Sequence, residues 1–119
     1  MLVLSYKVLG KRNKVLDLDS KQVSYIELIK FSDNTMTTIN DPSKVKKIIV
    51  KLNSISGEET TKDTDNIEEI DLINVYDKTF KKTEVAKIGN YLKINEKWYK
   101  IEKKGINIYN QIIVDYMTY

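Results

Sequence analysis

The sequence predicts an α+β fold, an antiparallel β-meander packed against one main amphipathic helix (41–56) with a short C-terminal helix. Several short segments alternate apolar and polar residues between turn residues, which is typical of antiparallel strands. One central segment instead repeats its apolar residues at the spacing of a helix. The 119 residues include one proline and four glycines, so we expect a single domain, 1–119, without a linker.

The first part of the chain predicts two pairs of strands. Residues 2–9 alternate as a strand, a turn follows at 10–13, and 15–18 form a short return strand. Residues 25–31 and 35–39 are rich in β-branched and aromatic side chains and form a hairpin. Their turn is Ser32-Asp33-Asn34, where Asp and Asn tolerate the left-handed backbone that a tight turn needs.

The segment NDPSKVKKIIVKLNSISG (40–57) predicts the main helix. Asp41 is a suitable N-cap, and Pro42 suits the first helical position because its missing N–H would be unbonded there. Gly57 is the expected C-cap. One apolar face, which we expect to lie on the sheet, consists of Val45, Ile48, Ile49, Leu52 and Ile55.

The second part predicts an acidic loop at 58–66, followed by four strands and a helix. The strand at 67–76 turns Ile70 and Leu72 to one side and Ile73 and Val75 to the other. Short strands follow at 83–88, 91–94 and 97–101, separated by turns at 89–90 and 95–96. Helical spacing near the end, capped by Asn107, predicts a C-terminal helix over Tyr109, Ile112, Ile113 and Tyr116, with a strand as the alternative.

The composition argues against catalysis. The chain has no cysteine and no histidine. Disulfides, Cys-His and Ser-His-Asp nucleophile systems and ordinary zinc sites are therefore excluded. The acidic loop also lacks the glycine and glutamate spacing of an EF-hand. We therefore expect no enzyme, no cofactor and no metal.

The net charge of +3 rests almost wholly on lysine, since Arg12 is the only arginine. Lysine holds phosphate by charge alone, whereas arginine reads base edges. We therefore expect a protein partner and keep single-stranded nucleic acid as an alternative. Richness in Lys, Ile, Asn and Tyr indicates an AT-rich genome, as in a low-GC bacterium or its phages. No run reaches the roughly 18 apolar residues of a membrane span, and the opening MLVLSYKVLG, interrupted by Lys7, does not predict a signal peptide.

A lysine and aromatic cluster near the end of the chain is the candidate partner-binding surface. Because neighbours on a strand point to opposite faces, one of Trp98 and Tyr99 packs inward and the other is free for a partner. Ordinary cross-strand packing is the alternative. The lysines of the main helix are either an anion or membrane contact or simply its solvated side. The candidate partner-binding residues are Lys97, Trp98, Tyr99, Lys100, Lys103 and Lys104.

Short motifs in this chain resemble a family of small uncharacterised domains in lipoproteins and secreted proteins of low-GC Gram-positive bacteria. Ile39 and Asp41, then Leu52-Asn53-Ser54, match its helix entry and exit. Tyr99, Ile101 and Glu102 match its late Y-x-I-E strand, and Gly105-Ile106 with a displaced Tyr109 match the G-I-Y that follows. The chain departs from the family in lacking a lipid-attachment cysteine and in carrying Lys103-Lys104 where the family has Pro-Tyr. The resemblance implies an extracytoplasmic accessory domain and assigns no functional residue.

From these observations we expect a non-enzymatic binding or accessory domain of the bacterial cell envelope, located outside the membrane. The alternative is a cytoplasmic inhibitor, encoded by a phage or mobile element, that blocks a host protein by surface contact. The sequence assigns neither the partner nor the oligomeric state.

Overall fold

The computed structural model describes residues 13–61 and 70–117. Within them a 3-10 helix, Ser20–Gln22, precedes the second strand. The elements, in chain order, are β1 (Asn13–Lys14), β2 (Val23–Lys30), β3 (Thr35–Ile39), α1 (Pro42–Asn53), β4 (Ser56–Thr60), β5 (Asp71–Asp77), β6 (Lys82–Ile88), β7 (Tyr91–Ile94), β8 (Lys97–Ile101) and α2 (Lys103–Tyr116).

All strands of the described residues join one antiparallel sheet in the order β1-β4-β8-β7-β6-β5-β2-β3. Seven of these strands form the body of the sheet, and the eighth, β1, adds only two residues at one edge. The predicted α+β class is confirmed, and β5 to β8 form the expected meander. The β2–β3 hairpin extends the meander on one side, and β4 extends it on the other.

Both helices pack on the same face of the sheet, because their buried residues share one cluster with alternate strand residues. We call this the helix face and the opposite one the open face. Cross-strand pairing shows which strand residues share the helix face. Ile26 pairs with Val75, and Val85 pairs with both Ile73 and Ile94. Ile73 and Val75 are buried on it while Leu72 lies on the open face, which confirms the predicted sides of this strand.

Helix α1 begins where the sequence predicts and ends earlier. Asp41 caps it by accepting from the Ser43 backbone N–H at 2.9 Å, and Pro42 opens its first turn. The C-cap is Ser54, so the predicted end at Gly57 is wrong. Ile55 is buried in the core, but it follows the helix rather than continuing its stripe.

Gly57 lies in strand β4. Residues 58–60 of this strand were predicted to belong to the acidic loop. Gly57 pairs with Ile101, and a Cβ added there would lie 2.6 Å from the Lys100 carbonyl oxygen. The glycine therefore allows β4 to approach β8 closely, a requirement set by a strand more than forty residues later in the chain. The acidic residues Glu58 and Glu59 are exposed edge positions of this strand.

Other boundaries differ locally. Asn13, predicted as the last residue of a turn, begins the two-residue strand Asn13–Lys14. The predicted return strand at 15–18 is irregular chain, although Val15 and Leu16 are buried. The strand predicted at 25–31 runs from Val23 to Lys30. The strand predicted at 2–9 and most of the acidic loop lie outside the described residues.

Helix α2 confirms the C-terminal helix but starts at Lys103, so Asn107 lies inside it rather than capping it. It has 14 residues, against 12 in α1. Its buried face includes Tyr109, Ile112 and Ile113, as the spacing predicted. The Tyr109 hydroxyl lies 2.6 Å from the Asp71 carbonyl oxygen and 2.8 Å from that of Val85, so it fixes α2 to β5 and β6.

Candidate functional site

Trp98 lies on the open face of β8 with its ring held by two neighbours. Lys93 is its cross-strand partner on β7, and the Lys93 Nζ sits 5.7 Å from the indole centroid, within cation–π range. The Tyr91 ring meets the indole edge-on, with 6.5 Å between centroids. These contacts orient a half-buried aromatic surface toward the open side of the sheet.

A cavity of about 280 Å³ adjoins Trp98 on this face. We call its lining the Trp98 patch; it consists of Phe31, Ile70, Leu72, Glu84, Ala86, Ile88, Lys93 and Trp98. Most of these side chains are apolar and come from the middle strands of the sheet or their ends. Phe31, at the rim of the patch, is 54% exposed, whereas phenylalanine side chains more often lie in the core.

Of the two charged residues that line the patch, Glu84 is ion-paired and Lys93 has no ion pair within the described part of the chain. Glu84 is paired with Lys82 at 3.5 Å, so its charge is largely balanced. Among the described residues no carboxylate lies within ion-pair distance of Lys93, whose charge rests on the Trp98 ring. Lys100, exposed on the same face, pairs across the strands with Tyr91. On β4 the neighbour of Lys100 on this face is the exposed Glu58, so the charges there are mixed. The patch therefore combines an apolar floor with one lysine, Lys93, in its lining.

The other end of the open face carries two stacked tyrosines and a hydrogen-bonded glutamate. Tyr25 and Tyr76 stack with 4.5 Å between their ring centroids, and the Tyr76 hydroxyl donates to Glu27 Oε1 at 3.0 Å. Burial, followed by the bond to Glu27, raises the pKa of Tyr76. Between the two ends lies Asn74, 5% exposed, whose Oδ1 has no hydrogen-bond partner in the described part of the chain.

The structure separates the predicted binding residues. Trp98 and Lys100 lie on the open face, whereas Lys97 and Tyr99 belong to the helix face by the pairing register. Tyr99 packs against the core cluster. The expectation that one of Trp98 and Tyr99 packs inward is therefore confirmed, with Tyr99 as the inward one.

Lys103 and Lys104 occupy the first turn of α2 rather than the Trp98 patch. They border an open groove of about 510 Å³ between the end of α1 and the start of α2, with Lys51, Ser54, Asn107, Ile108 and Gln111 as the other lining residues. On α1, Lys44, Lys46 and Lys47 are exposed. The groove contains lysine but no buried polar group that would orient a ligand.

Sequence reasoning missed the remaining members of the Trp98 patch. Leu72 and Ala86 were expected only as strand residues, and Phe31 only as the end of a strand. Their meeting depends on the order β8-β7-β6-β5-β2, which no local pattern in the sequence records. The exposed Phe80, in the sequence DKTFKK, also escaped notice, although an aromatic among lysines in a turn is a readable signal.

Two further features bear on the classes of function considered. Within residues 13–61 and 70–117, no group of three acidic side chains is arranged to hold a metal ion. None of the helices in that part of the chain is long and apolar enough to cross a membrane. No protein-family model, curated protein or solved structure matches the chain.

Proposed function

We propose that this chain is a non-enzymatic binding domain of the bacterial cell envelope and that it docks a protein partner through the Trp98 patch. The observation that supports the proposal most directly is the cavity beside Trp98, on a sheet face without a helix in the described part of the chain. Partially exposed aromatic side chains beside an apolar pocket are typical anchors of protein interfaces.

The shape of the patch suits a protein side chain. A cavity of about 280 Å³ lies just below the usual range of roughly 300–1,000 Å³ for small-molecule sites, and it is partly open to solvent. A protruding apolar side chain of a partner would contact Leu72, Ala86 and Trp98. Lys93, in the lining of the patch, would then meet polar or acidic groups around that side chain.

The non-catalytic assignment rests on chemistry that the chain lacks. Without histidine or cysteine, a proton shuttle near neutral pH would need a carboxylate, lysine or tyrosine with a displaced pKa. Glu84 at the patch is engaged with Lys82, and Lys93 with an aromatic ring. The assignment to the cell envelope rests on the family resemblance of the short motifs at 39–54 and 99–109.

Site-directed photocrosslinking tests the proposal. Benzoylphenylalanine at position 31, on the rim of the patch, is expected to form a discrete adduct with a host protein. The matched control carries the same group at Val114, which is 66% exposed on α2 and away from the patch. Identical adducts from both positions would contradict docking at the patch. The identity of the captured protein, envelope or cytoplasmic, separates the proposal from the inhibitor alternative.

Binding measurements with the purified partner complete the test. Trp98→Ser is expected to weaken binding by about thirtyfold, corresponding to about 2 kcal/mol for a central aromatic anchor. Tyr116→Phe, a half-buried α2 position, is the control and should leave the affinity unchanged. Thermal unfolding of both variants verifies that the fold is intact. Equal affinities for wild type and Trp98→Ser would exclude Trp98 as the anchor.

A further inference from the structure

The loop between β5 and β6 departs from the other turns of the sheet in one respect. Each of the four described hairpin turns contains one residue with positive φ. In the three turns other than the β5–β6 loop, that residue is Asn34, Gly89 or Asn95. These residue types tolerate the left-handed backbone. In the β5–β6 loop the position is occupied by Phe80, with φ of 68°. A bulky side chain adopts this conformation only at a cost in stability, and such outliers gather at functional sites.

The loop is held firmly in this conformation by Asp77. Its Oδ1 accepts from the Thr79 backbone N–H at 2.8 Å, the Thr79 hydroxyl at 2.7 Å and the Lys81 backbone N–H at 3.0 Å. The Phe80 N–H donates to the Asp77 carbonyl, and the Lys78 N–H donates to the Gln22 carbonyl at 2.9 Å. The tip is therefore ordered by its own hydrogen bonds rather than by packing of Phe80.

Phe80 itself points into solvent. It is 86% exposed, more than any other large apolar side chain of the described residues. Lys78, Lys81 and Lys82 flank it and are exposed. Lys82 pairs with Glu84 at 3.5 Å. The Asp77 carboxylate, engaged in the hydrogen bonds of the loop, attracts Lys81 electrostatically, but no described carboxylate lies within ion-pair distance of Lys78 or Lys81. The loop thus presents one aromatic ring among cations at the end of two adjacent strands.

We propose that the β5–β6 loop is a peripheral membrane contact, in which Phe80 enters the interface of an anionic lipid surface and Lys78 and Lys81 pair with its headgroups. An aromatic apex with cations around it matches an interface that is negative outside and apolar beneath. A flat lipid surface accepts a projecting tip without further complementary shape. One exposed ring offers too little area for a stable protein interface, which buries roughly 1,200–2,000 Å². The contact is separate from the Trp98 patch and does not depend on it.

Vesicle sedimentation tests the insertion of Phe80. The wild-type chain is expected to bind phosphatidylglycerol vesicles and to bind phosphatidylcholine vesicles more weakly. Phe80→Ser should lower partitioning into the anionic vesicles by about tenfold, because it removes the apolar insertion. Val114→Ser, which removes an exposed apolar side chain from α2, is the control and should bind as the wild type does.

The lysine contribution has its own matched pair. Lys78→Gln with Lys81→Gln should lower binding to anionic vesicles by about twentyfold or more at low salt. Lys46→Gln with Lys47→Gln removes the same charge from the exposed side of α1 and should have a much smaller effect. Wild-type binding should also fall as salt screens the headgroups. Equal losses of vesicle binding in the two double variants would show that binding depends only on the net charge of the chain, and this would overturn the proposal.

A fluorescent probe distinguishes insertion from surface attraction. The chain has a single tryptophan, so Phe80→Trp combined with Trp98→Phe places the only indole at the tip. Its emission should shift to shorter wavelength on phosphatidylglycerol vesicles and stay unchanged with free glycerol phosphate. An unshifted emission, or wild-type binding no stronger to anionic than to neutral vesicles, would refute the proposal. A crosslink from position 80 to a protein, in the absence of vesicle binding, would assign the tip to a protein partner instead.

Stability measurements separate function from folding. Phe80→Gly should leave the unfolding midpoint at or above that of the wild type, because glycine adopts positive φ without a steric cost. The same variant should lose vesicle binding as Phe80→Ser does. A marked loss of stability in Phe80→Gly would instead assign Phe80 a structural role.

Discussion

Replacing Tyr109 by Phe tests how α2 is attached to the sheet. The side chain is fully buried, and its hydroxyl lies between the carbonyl oxygens of Asp71 on β5 and Val85 on β6. One hydroxyl carries one proton, so it donates to one carbonyl at a time or shares the proton between both. Phenylalanine fills nearly the same volume and removes only this donor.

The expected loss is about 2 kcal/mol of unfolding free energy. It combines a hydrogen bond worth about 1 kcal/mol with the cost of leaving a buried carbonyl without its donor. For a domain of this size the loss corresponds to a fall in Tm of roughly 8 °C. Urea unfolding followed by Trp98 fluorescence and by far-UV circular dichroism measures it, and the m-value should not change.

The control is Tyr116→Phe, the same chemical change on the same helix at a half-buried position. We expect it to alter stability by less than about 0.5 kcal/mol. If Tyr109→Phe were equally mild, the hydroxyl would not hold α2 to the sheet, and the attachment would rest on apolar packing alone.

The pH dependence provides a second check on Tyr109. Burial raises the pKa of its hydroxyl well above the ordinary value of 10.0. The folded state then keeps the proton while the unfolded state releases it above pH 10, so the stabilisation is complete below pH 10 and is lost as the pH rises further. The difference in stability between wild type and Tyr109→Phe should narrow above pH 10. A constant difference across that range would contradict the raised pKa.

Three further substitutions test single contacts. Gly57→Ala should destabilise by about 1–3 kcal/mol in urea unfolding, because the new Cβ would meet the Lys100 carbonyl at 2.6 Å; an unchanged midpoint would contradict this packing. Asn53→Ala should cost about 1–2 kcal/mol by the same assay, since its amide bonds both the N–H and the carbonyl of Leu18, and a neutral result would show these bonds to be dispensable. Asn74→Val should raise the free energy of unfolding by about 1 kcal/mol, because it removes a buried oxygen without a partner; a loss of stability would show that the amide is satisfied.

Much of the fold could be predicted because its signals are local. Asp41 and Pro42 mark the start of α1 through interactions within the first turn. Asn34, Gly89 and Asn95 take the positive φ of their turns, as residues of these types readily do. The errors lie where local preference competes with strand pairing. Glycine commonly ends a helix, but Gly57 lies in β4, where its lack of a side chain allows β4 to approach β8 closely.

The candidate site was predictable only in part. Trp98 and Lys100 share a face because they are two residues apart on one strand, which the sequence states directly. Phe31, Leu72 and Ala86 join them through the order of strands that lie far apart in the chain. Because cross-strand neighbours depend on that order, the patch could not be assembled from periodicity.

The sequence by itself determined the α+β class, the start of α1, the hairpin turns and the side of β5 that faces the core. Alternation, capping and turn chemistry act between residues within a few positions of one another, so they can be read along the chain. Only the tertiary structure decided that Ser56–Thr60 joins the sheet, that a cavity forms beside Trp98, and that Phe80 takes positive φ at an exposed tip. Long-range strand pairing and the hydrogen bonds around Asp77 impose these features despite the local preferences of the residues concerned.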